Sequence, residues 1–371
     1  MAAPRILITG GGTGGHLDPA LNIAAAIRRR DPAAECFYVG SRRGLEARVL
    51  PGTDIPHRLL PLEPLYRNRP WRNWRLAWTA PSVMSGVAAA FREFRPTAVL
   101  GTGGYASGPV LFQAWMKRVP IALQEQNARP GLVTRLMARR AADIYLAYPE
   151  AESALRIGRD TRVLILGNPV ASRADGSERT DPGWPGGRIL LVFGGSQGAK
   201  AINERLLEDL ERASAETWPD DTSIVWIAGS AHAEAVAARA ARLPRADRIR
   251  VVPYVPGLGR HLDRVDLAVA RAGAMSVAEL CAAGCPSVLV PLPTAAADHQ
   301  TLNADALEAA GAAVARREAD LAPGELWDLC RSLLRDHERL AAMAAAARSR
   351  GNSGAADDIA AAVLALAAGD R

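Results

Sequence analysis

Short apolar runs alternate with longer segments of helical periodicity along the whole chain. Apolar runs fall near 5–9, 35–39, 97–101, 120–124, 143–147 and 162–166. Short runs of this kind, bounded by Gly, Pro or charge, read as strands buried on both faces. A helix is expected at about 17–30, and another over 130–140 with Pro130 in its first turn. Residues 173–187, RADGSERTDPGWPGG, are polar and rich in Gly and Pro, and read as a domain junction. The pattern then restarts. A strand over 188–193 runs into a Gly-rich turn at 194–199 and a helix to about 213, with further strands near 223–228, 249–253, 266–270 and 286–290. Alternating strands and helices predict parallel sheets, so the expected class is α/β with two Rossmann-like domains facing a cleft. The expected division is 1–165 and 166–371, with the last helix a candidate to pack back on the first domain.

Composition narrows the class. The chain has 371 residues, 49% hydrophobic and 23% charged, enough for two ordinary cores. No uninterrupted apolar stretch approaches the ~18 residues that span a bilayer. The first strand begins almost at once, no signal peptide is visible, and a cytoplasmic location is expected. Cys281 and Cys285 lie four apart on an expected helix with no nearby histidine. They read as buried small side chains rather than as a metal site, and the four cysteines, Cys36 and Cys330 included, fit the cytoplasm. The net charge of +6 conceals an asymmetry: residues 1–165 hold 23 Lys and Arg against 12 Asp and Glu, the remainder 22 against 27. The basic half suits an anionic partner such as nucleic acid, acidic lipid or a phosphorylated substrate.

The stretch ITGGGTGGH, residues 8–16, satisfies G-x-G-x-x-G. Free amides at the positive end of a helix bind phosphate whatever it is attached to. A nicotinamide site also needs an acid at the end of the second strand to hold the ribose. That strand ends Val39-Gly40-Ser41-Arg42-Arg43, with no acid, although the two arginines leave NADP open. A dehydrogenase usually carries one such fingerprint. Two halves that each open with strand, Gly-rich turn and helix suggest a cleft enzyme of the GT-B glycosyltransferase type.

The segments GGTGGH (11–16), GTGGYASGP (101–109), QEQNARPG (124–131), GNPV (167–170), FGGSQGA (193–199), RAGAMSVAEL (271–280) and DHQTLNA (298–304) occur in that order. Together they resemble the MurG family over nearly the whole chain. These are bacterial transferases that add N-acetylglucosamine from UDP-GlcNAc to undecaprenyl-linked lipid I, making lipid II for peptidoglycan. The resemblance implies an inverting hexosyltransferase of GT-B fold, peripheral on the cytoplasmic face of the bacterial inner membrane, with no metal or other cofactor. It implies a donor site in the second half. Gly194, Gly195, Ser196 and Gln197 match the loop at the donor phosphate and sugar, and Arg173 follows the GNPV segment. Ala274, Met275 and Ser276 match a helix start facing the pyrophosphate, and Glu279 matches the carboxylate that accepts both ribose hydroxyls. His299 and Gln300 match the pair that reads the sugar, and Val255 the backbone that pairs with uracil. In the first half Thr13, Gly14, Gly15 and His16 match the acceptor-pyrophosphate loop. Gly103, Gly104 and Tyr105 form a second such turn, and Glu125 with Asn127 a third polar cluster. His16 is the best general-base candidate, because imidazole suits proton abstraction from a hydroxyl. The alternative is that it only hydrogen-bonds the loop.

The chain departs from the family pattern in places. Gln124 stands where the family usually has His, Ala171 where it has Arg, and Leu17-Asp18 replaces an apolar-aromatic pair. Pro256-Gly257-Leu258 replaces a usually acidic segment. His57, His232, His261 and His337 sit in no motif and read as solvated or locally bonded surface residues. Residues 66–78, YRNRPWRNWRLAW, hold four arginines and three tryptophans, with Trp71, Trp74 and Trp78 at helical spacing. They suit an anionic membrane surface, or else the tryptophans face the domain core. No nucleic-acid motif is present. Open alternatives are transfer to another glycolipid, a UDP-GlcNAc 2-epimerase, and a non-catalytic UDP-sugar or lipid binder.

Overall fold

The computed structural model describes residues 3–12, 14–43, 45–64, 70–171, 183–195, 198–219, 221–255, 257–295 and 298–369; the side chains of Pro70, Arg72 and Ala77 are excepted. The chain divides into two compact units, Met1–Ser172 with Gly354–Arg371, and Arg173–Ser353. The first extends past residue 165 because Asn22 Nδ2 donates to the Pro169 carbonyl and Asn168 is buried among residues of the same unit.

The first unit contains β1 (Arg5–Thr9), α1 (Gly14–Arg30), β2 (Glu35–Ser41), α2 (Glu46–Val49), β3 (His57–Leu60), α3 (Trp74–Phe94) and β4 (Ala98–Gly101). It continues with α4 (Ser107–Met116), β5 (Ile121–Glu125), α5 (Leu132–Met137), β6 (Asp143–Leu146) and β7 (Arg162–Ile165). The seven strands form one parallel sheet in the order β3-β2-β1-β4-β5-β6-β7. Two expectations shift. The first helix starts at Gly14 rather than near 17. The helix expected over 130–140 runs only from Leu132 to Met137, with Gly131 as its extended N-cap, so Pro130 precedes it.

Alternation along the strands sends residues to opposite faces. Ile6, Ile8, Tyr38 and Leu100 face α1, whereas Leu7, Val39, Val99 and Leu123 face α3, α4 and α5.

The second unit contains β8 (Arg188–Phe193), α6 (Lys200–Arg212), β9 (Thr222–Ile227), α7 (Ala233–Ala240), β10 (Ile249–Val252) and β11 (Leu267–Ala270). Then come α8 (Ala274–Ala283), β12 (Ser287–Leu289), α9 (His299–Ala309), β13 (Ala313–Ala315), α10 (Glu325–Arg335) and α11 (His337–Arg350). Its six strands are parallel, in the order β10-β9-β8-β11-β12-β13. Relative to their own unit, both sheets therefore share the order 3-2-1-4-5-6 of the doubly wound nucleotide-binding fold. The last helix, α12 (Ala355–Ala368), belongs to the first unit, where Ile359, Ala360 and Val363 join the core that contains Ile6, Ile8 and Ile23.

Candidate active site

The strand order of each sheet reverses direction between its first and fourth strands, and in open α/β sheets the loops leaving that point form the binding crevice. In the first unit these loops follow β1 and β4, and they interlock. A Cβ at Gly104, whose φ is +76°, would lie 2.0 Å from the Gly11 carbonyl oxygen, so only glycine lets the turns meet. Glu46, fully buried on α2, accepts the Gly12 N–H at 2.9 Å. Tyr38 donates its hydroxyl to the Gly10 carbonyl at 2.7 Å. Burial, and then the charge of Glu46, push that phenol well above its usual range, so it stays a donor. Tyr105 reaches the Ser41 hydroxyl at 3.4 Å.

His16 lies in the first turn of α1, not in the loop ahead of it. Its carbonyl accepts from the Thr102 hydroxyl at 2.7 Å, which ties the two loops together. Its ring Nδ1 is 3.0 Å from both the Thr102 carbonyl and Gln126 Oε1. Gly103 lies against the same ring, where a Cβ would be 3.1 Å from Nδ1. His16, Gly103, Gly104 and Tyr105 are therefore brought together at the C-terminal ends of β1 and β4, and Gly14 and Gly15 open α1 beside them.

Glu125 and Asn127 lie together, as expected from the sequence. Glu125 Oε1 accepts from the Asn127 N–H and side-chain amide, both at 3.2 Å, and its Oε2 from the Gly131 N–H at 3.0 Å. Only 2% exposed, it holds its own loop and the start of α5 rather than presenting a free carboxylate to an acceptor. Asn127 keeps partial exposure. Thr13, Arg173, Ser196 and Gln197 lie outside the described residues.

The second unit repeats the geometry with other parts. Gly195 follows β8 with φ +84°, and its carbonyl accepts the Gly198 N–H at 3.0 Å. After β11, Gly273 is the N-cap of α8, so the amides of Ala274, Met275 and Ser276 form its first turn. Glu279 stands one turn further along α8, with its carboxylate against Gly259. Val255 follows β10 and is half-buried. His299 opens α9, and Gln300 Oε1 accepts the Leu292 N–H at 3.0 Å, which fixes the direction of its amide. Loops after β8, β10, β11 and β12 thus gather at one end of this sheet.

Sequence reasoning missed several contributors. Arg271 is 8% exposed; it donates to the Val290 and Pro291 carbonyls at 3.1 and 3.0 Å and pairs with Glu318 at 2.6 Å. Its only signal was its place at the head of RAGAMSVAEL. Thr102 likewise had only its place in GTGGYASGP, and Glu46 had none. His261, expected at the surface, is 6% exposed with its ring 5.6 Å from that of Trp184. All four cysteines are buried, and burial pushes the Cys36 thiol up to about 11 and the Cys281 thiol to about 12.

The tryptophans do not face a core. Trp71 lies in a 3-10 turn over Pro70–Asn73, Trp74 and Trp78 lie one turn apart on α3, and they are 70%, 60% and 79% exposed. Arg75 stands 5.8 Å above the Trp74 ring. Phe112, Trp115 and Met116 on α4 and Leu136 on α5 are exposed too. No helix among the described residues is long and apolar enough to cross a membrane.

Residues 6–146 match the family model for the glycosyltransferase family 28 N-terminal domain, and residues 189–359 that for its C-terminal domain. A UDP-N-acetylglucosamine–N-acetylmuramyl-(pentapeptide) pyrophosphoryl-undecaprenol N-acetylglucosamine transferase of Moorella thermoacetica is 39% identical over 364 residues, covering 96% of this chain and 97% of the relative. The enzyme of the same name from Syntrophotalea carbinolica is 40% identical over 356 residues, with the same coverage. The chain belongs to the MurG family. The crystal structure of Acinetobacter baumannii MurG superposes with a TM-score of 0.74 at 28% identity, covering 97% of this chain and 99% of that one. A UDP-N-acetylglucosamine 2-epimerase from Listeria monocytogenes, at 16% identity and a TM-score of 0.68, shares the fold alone. This MurG-family chain is a glycosyltransferase of GT-B fold, and the NADP and epimerase alternatives fall away.

Proposed function

We propose that this protein transfers N-acetylglucosamine from UDP-GlcNAc to the muramyl C4 hydroxyl of undecaprenyl-linked lipid I, giving lipid II, the peptidoglycan precursor. The names of its relatives support this reading, and the arrangement at His16 carries the chemistry. Its Nδ1 is engaged by two groups, which leaves Nε2 for the acceptor hydroxyl. The hydroxyl oxygen attacks C1 of the sugar as Nε2 takes its proton. The bond from C1 to the diphosphate breaks, its electron pair leaves with UDP, and the configuration inverts. The first unit holds the lipid-linked pyrophosphate on the interlocked loops, and Asn127 adds a polar contact. The second unit holds the donor. Its diphosphate lies on the loop of Gly195, Ser196 and Gln197 and on the first turn of α8, and the ribose diol on Glu279. Val255 pairs with uracil, and His299 and Gln300 read the sugar; Arg173 is assigned to the donor by its place after the GNPV segment alone.

The exposed faces of α3, α4 and α5 supply the surface for an anionic membrane. Trp74, Trp78 and Trp115 suit the headgroup depth of a bilayer. Arg140 stacks 4.5 Å over Trp115. A cavity of about 680 Å³ next to Trp115 is lined by Arg118, Arg139, Arg140 and Arg159 and suits lipid phosphate. It lies at the N-terminal edge of β5, opposite the end that carries His16. The enzyme works as a peripheral protein at the cytoplasmic face, and nucleic acid is not a partner. The test is UDP release from UDP-GlcNAc with and without a lipid I analogue. Release that needs the analogue is expected, and His16→Ala lowers kcat about 10²- to 10⁴-fold with UDP affinity retained. Turnover without the analogue, or a mutant at the parent rate, overturns the respective part.

A further inference from the structure

We propose that Gln126 is a positioning residue that places the proton of His16 on Nδ1, and that Gln124 and Asn168 hold it in the orientation this requires. The inference rests on the reading of His16 as the base. A neutral imidazole carries one proton, and only the bare nitrogen can accept another. His16 Nδ1 stands 3.0 Å from the Thr102 carbonyl, which can only accept, and 3.0 Å from Gln126 Oε1. Whether Gln126 presents its oxygen or its nitrogen there decides whether the two contacts agree.

Main-chain carbonyls set that choice. Gln126 Nε2 donates to the Thr102 carbonyl at 2.7 Å and faces the Gln124 carbonyl at 3.3 Å. Turned over, the amide would set an oxygen against two oxygens. Gln126 Nε2 also makes a close hydrogen bond to Gln124 Oε1. That places Gln124 Nε2 on Asn168 Oδ1, at 3.2 Å. Asn168 in turn must present Oδ1, because its Nδ2 donates to the Gln126 carbonyl at 2.9 Å. Three side-chain amides thus form a chain whose direction is set at both ends by backbone.

Gln124, Gln126 and Asn168 are 0%, 1% and 5% exposed, so water does not offer substitutes and reversal would strand buried donors and acceptors. None of the three titrates. The Nδ1–H form of His16, with Nε2 bare, is held by neutral groups, the Thr102 carbonyl and the Gln126 amide. The family usually has a histidine at the position of Gln124, so in this chain a non-ionising amide takes the place of a group that can change its charge.

The test uses full-length protein labelled with ¹⁵N-histidine. His16→Gln assigns the His16 signals, and the imidazole ¹⁵N shifts show which nitrogen carries the proton. The parent is expected to show Nδ1 protonated and Nε2 bare. Gln126→Met, similar in length and a far weaker acceptor, leaves Nδ1 with the Thr102 carbonyl alone; it is expected to bring in the Nε2–H tautomer and to lower kcat by the share lost from the Nδ1–H form, about two- to fivefold, with KM for UDP-GlcNAc unchanged. A parent ring protonated at Nε2 overturns the proposal, and that measurement needs no variant beyond the His16→Gln used for assignment. An unchanged tautomer in folded Gln126→Met overturns it as well. A changed tautomer with an unchanged rate upholds the lock and overturns the base reading of His16 instead.

Discussion

The two Gly-rich turns follow equivalent first strands of sheets with the same strand order, yet their glycines serve different ends. In the first unit the turn after β1 is wedged against protein. Gly10 meets Thr102, Gly11 meets Glu46, and Gly104 meets the backbone of Gly11. In the second unit Gly194 and Gly198 are also wedged, against Ala199 and the Ala228 carbonyl, but a Cβ on Gly195 would meet nothing within 4 Å among the described residues. The difference therefore sits at one position: Gly11 is wedged between loops, whereas Gly195 leaves its backbone open among the described residues. Glycine spacing alone cannot distinguish these uses, because both need positive φ.

The contrast is broken most strongly at Gly104. Gly104→Ala drives a Cβ into a main-chain oxygen in a left-handed conformation, and a loss of about 2–5 kcal/mol is expected in urea unfolding. A loss below about 1 kcal/mol would mean that the turns are not interlocked. Glu46→Ala comes next. It removes the acceptor of the Gly12 N–H, and a loss of about 1–3 kcal/mol is expected, with UDP affinity untouched in calorimetry. Gly195→Ala is expected to cost only the strain of its φ, about 1 kcal/mol, yet to weaken UDP binding, because the methyl group intrudes where donor phosphate approaches. Equal destabilisation by Gly195→Ala and Gly104→Ala would erase the distinction.

The smallest effect is at Asp18, on the helix that the first turn feeds. Burial raises its carboxyl from 3.8 to about 6. The folded protein then holds this proton more tightly than the unfolded chain, so this group's contribution to stability falls as pH rises from about 4 to 6. The Asp18 side chain is exposed at the surface although protein surrounds much of its carboxyl, so solvent screens the shift and the effect is small. Asp18→Asn is expected to flatten thermal melts across that window; an unchanged slope would assign the pH dependence elsewhere.

What could be read from the sequence was what repeats locally. Short continuous apolar runs gave most strands, and Gly-rich turns between strand and helix gave both crevices. β3 was missed because His57-Arg58-Leu59-Leu60 is short, half-buried and carries two polar residues. β13 was missed because Ala313-Val314-Ala315 has a single β-branched residue. The approach of Gln126 to His16 spans 110 positions, and no local pattern encodes it. His261 reached the interior through Trp184, a partner 77 positions away in sequence.

The attachment of α12 to the first unit has a consequence for synthesis. A ribosome finishes Ser172 long before it makes Ile359 and Val363, which cover the core around Ile6, Ile8 and Ile23. At ordinary elongation rates that interval is about 10–40 s. The second unit is one continuous segment, Arg173–Ser353, and is complete before α12 emerges. The half of the protein that is translated first is thus the half that matures last. Its apolar flank stays open to chaperones, or to the wrong partner, until the final helix arrives.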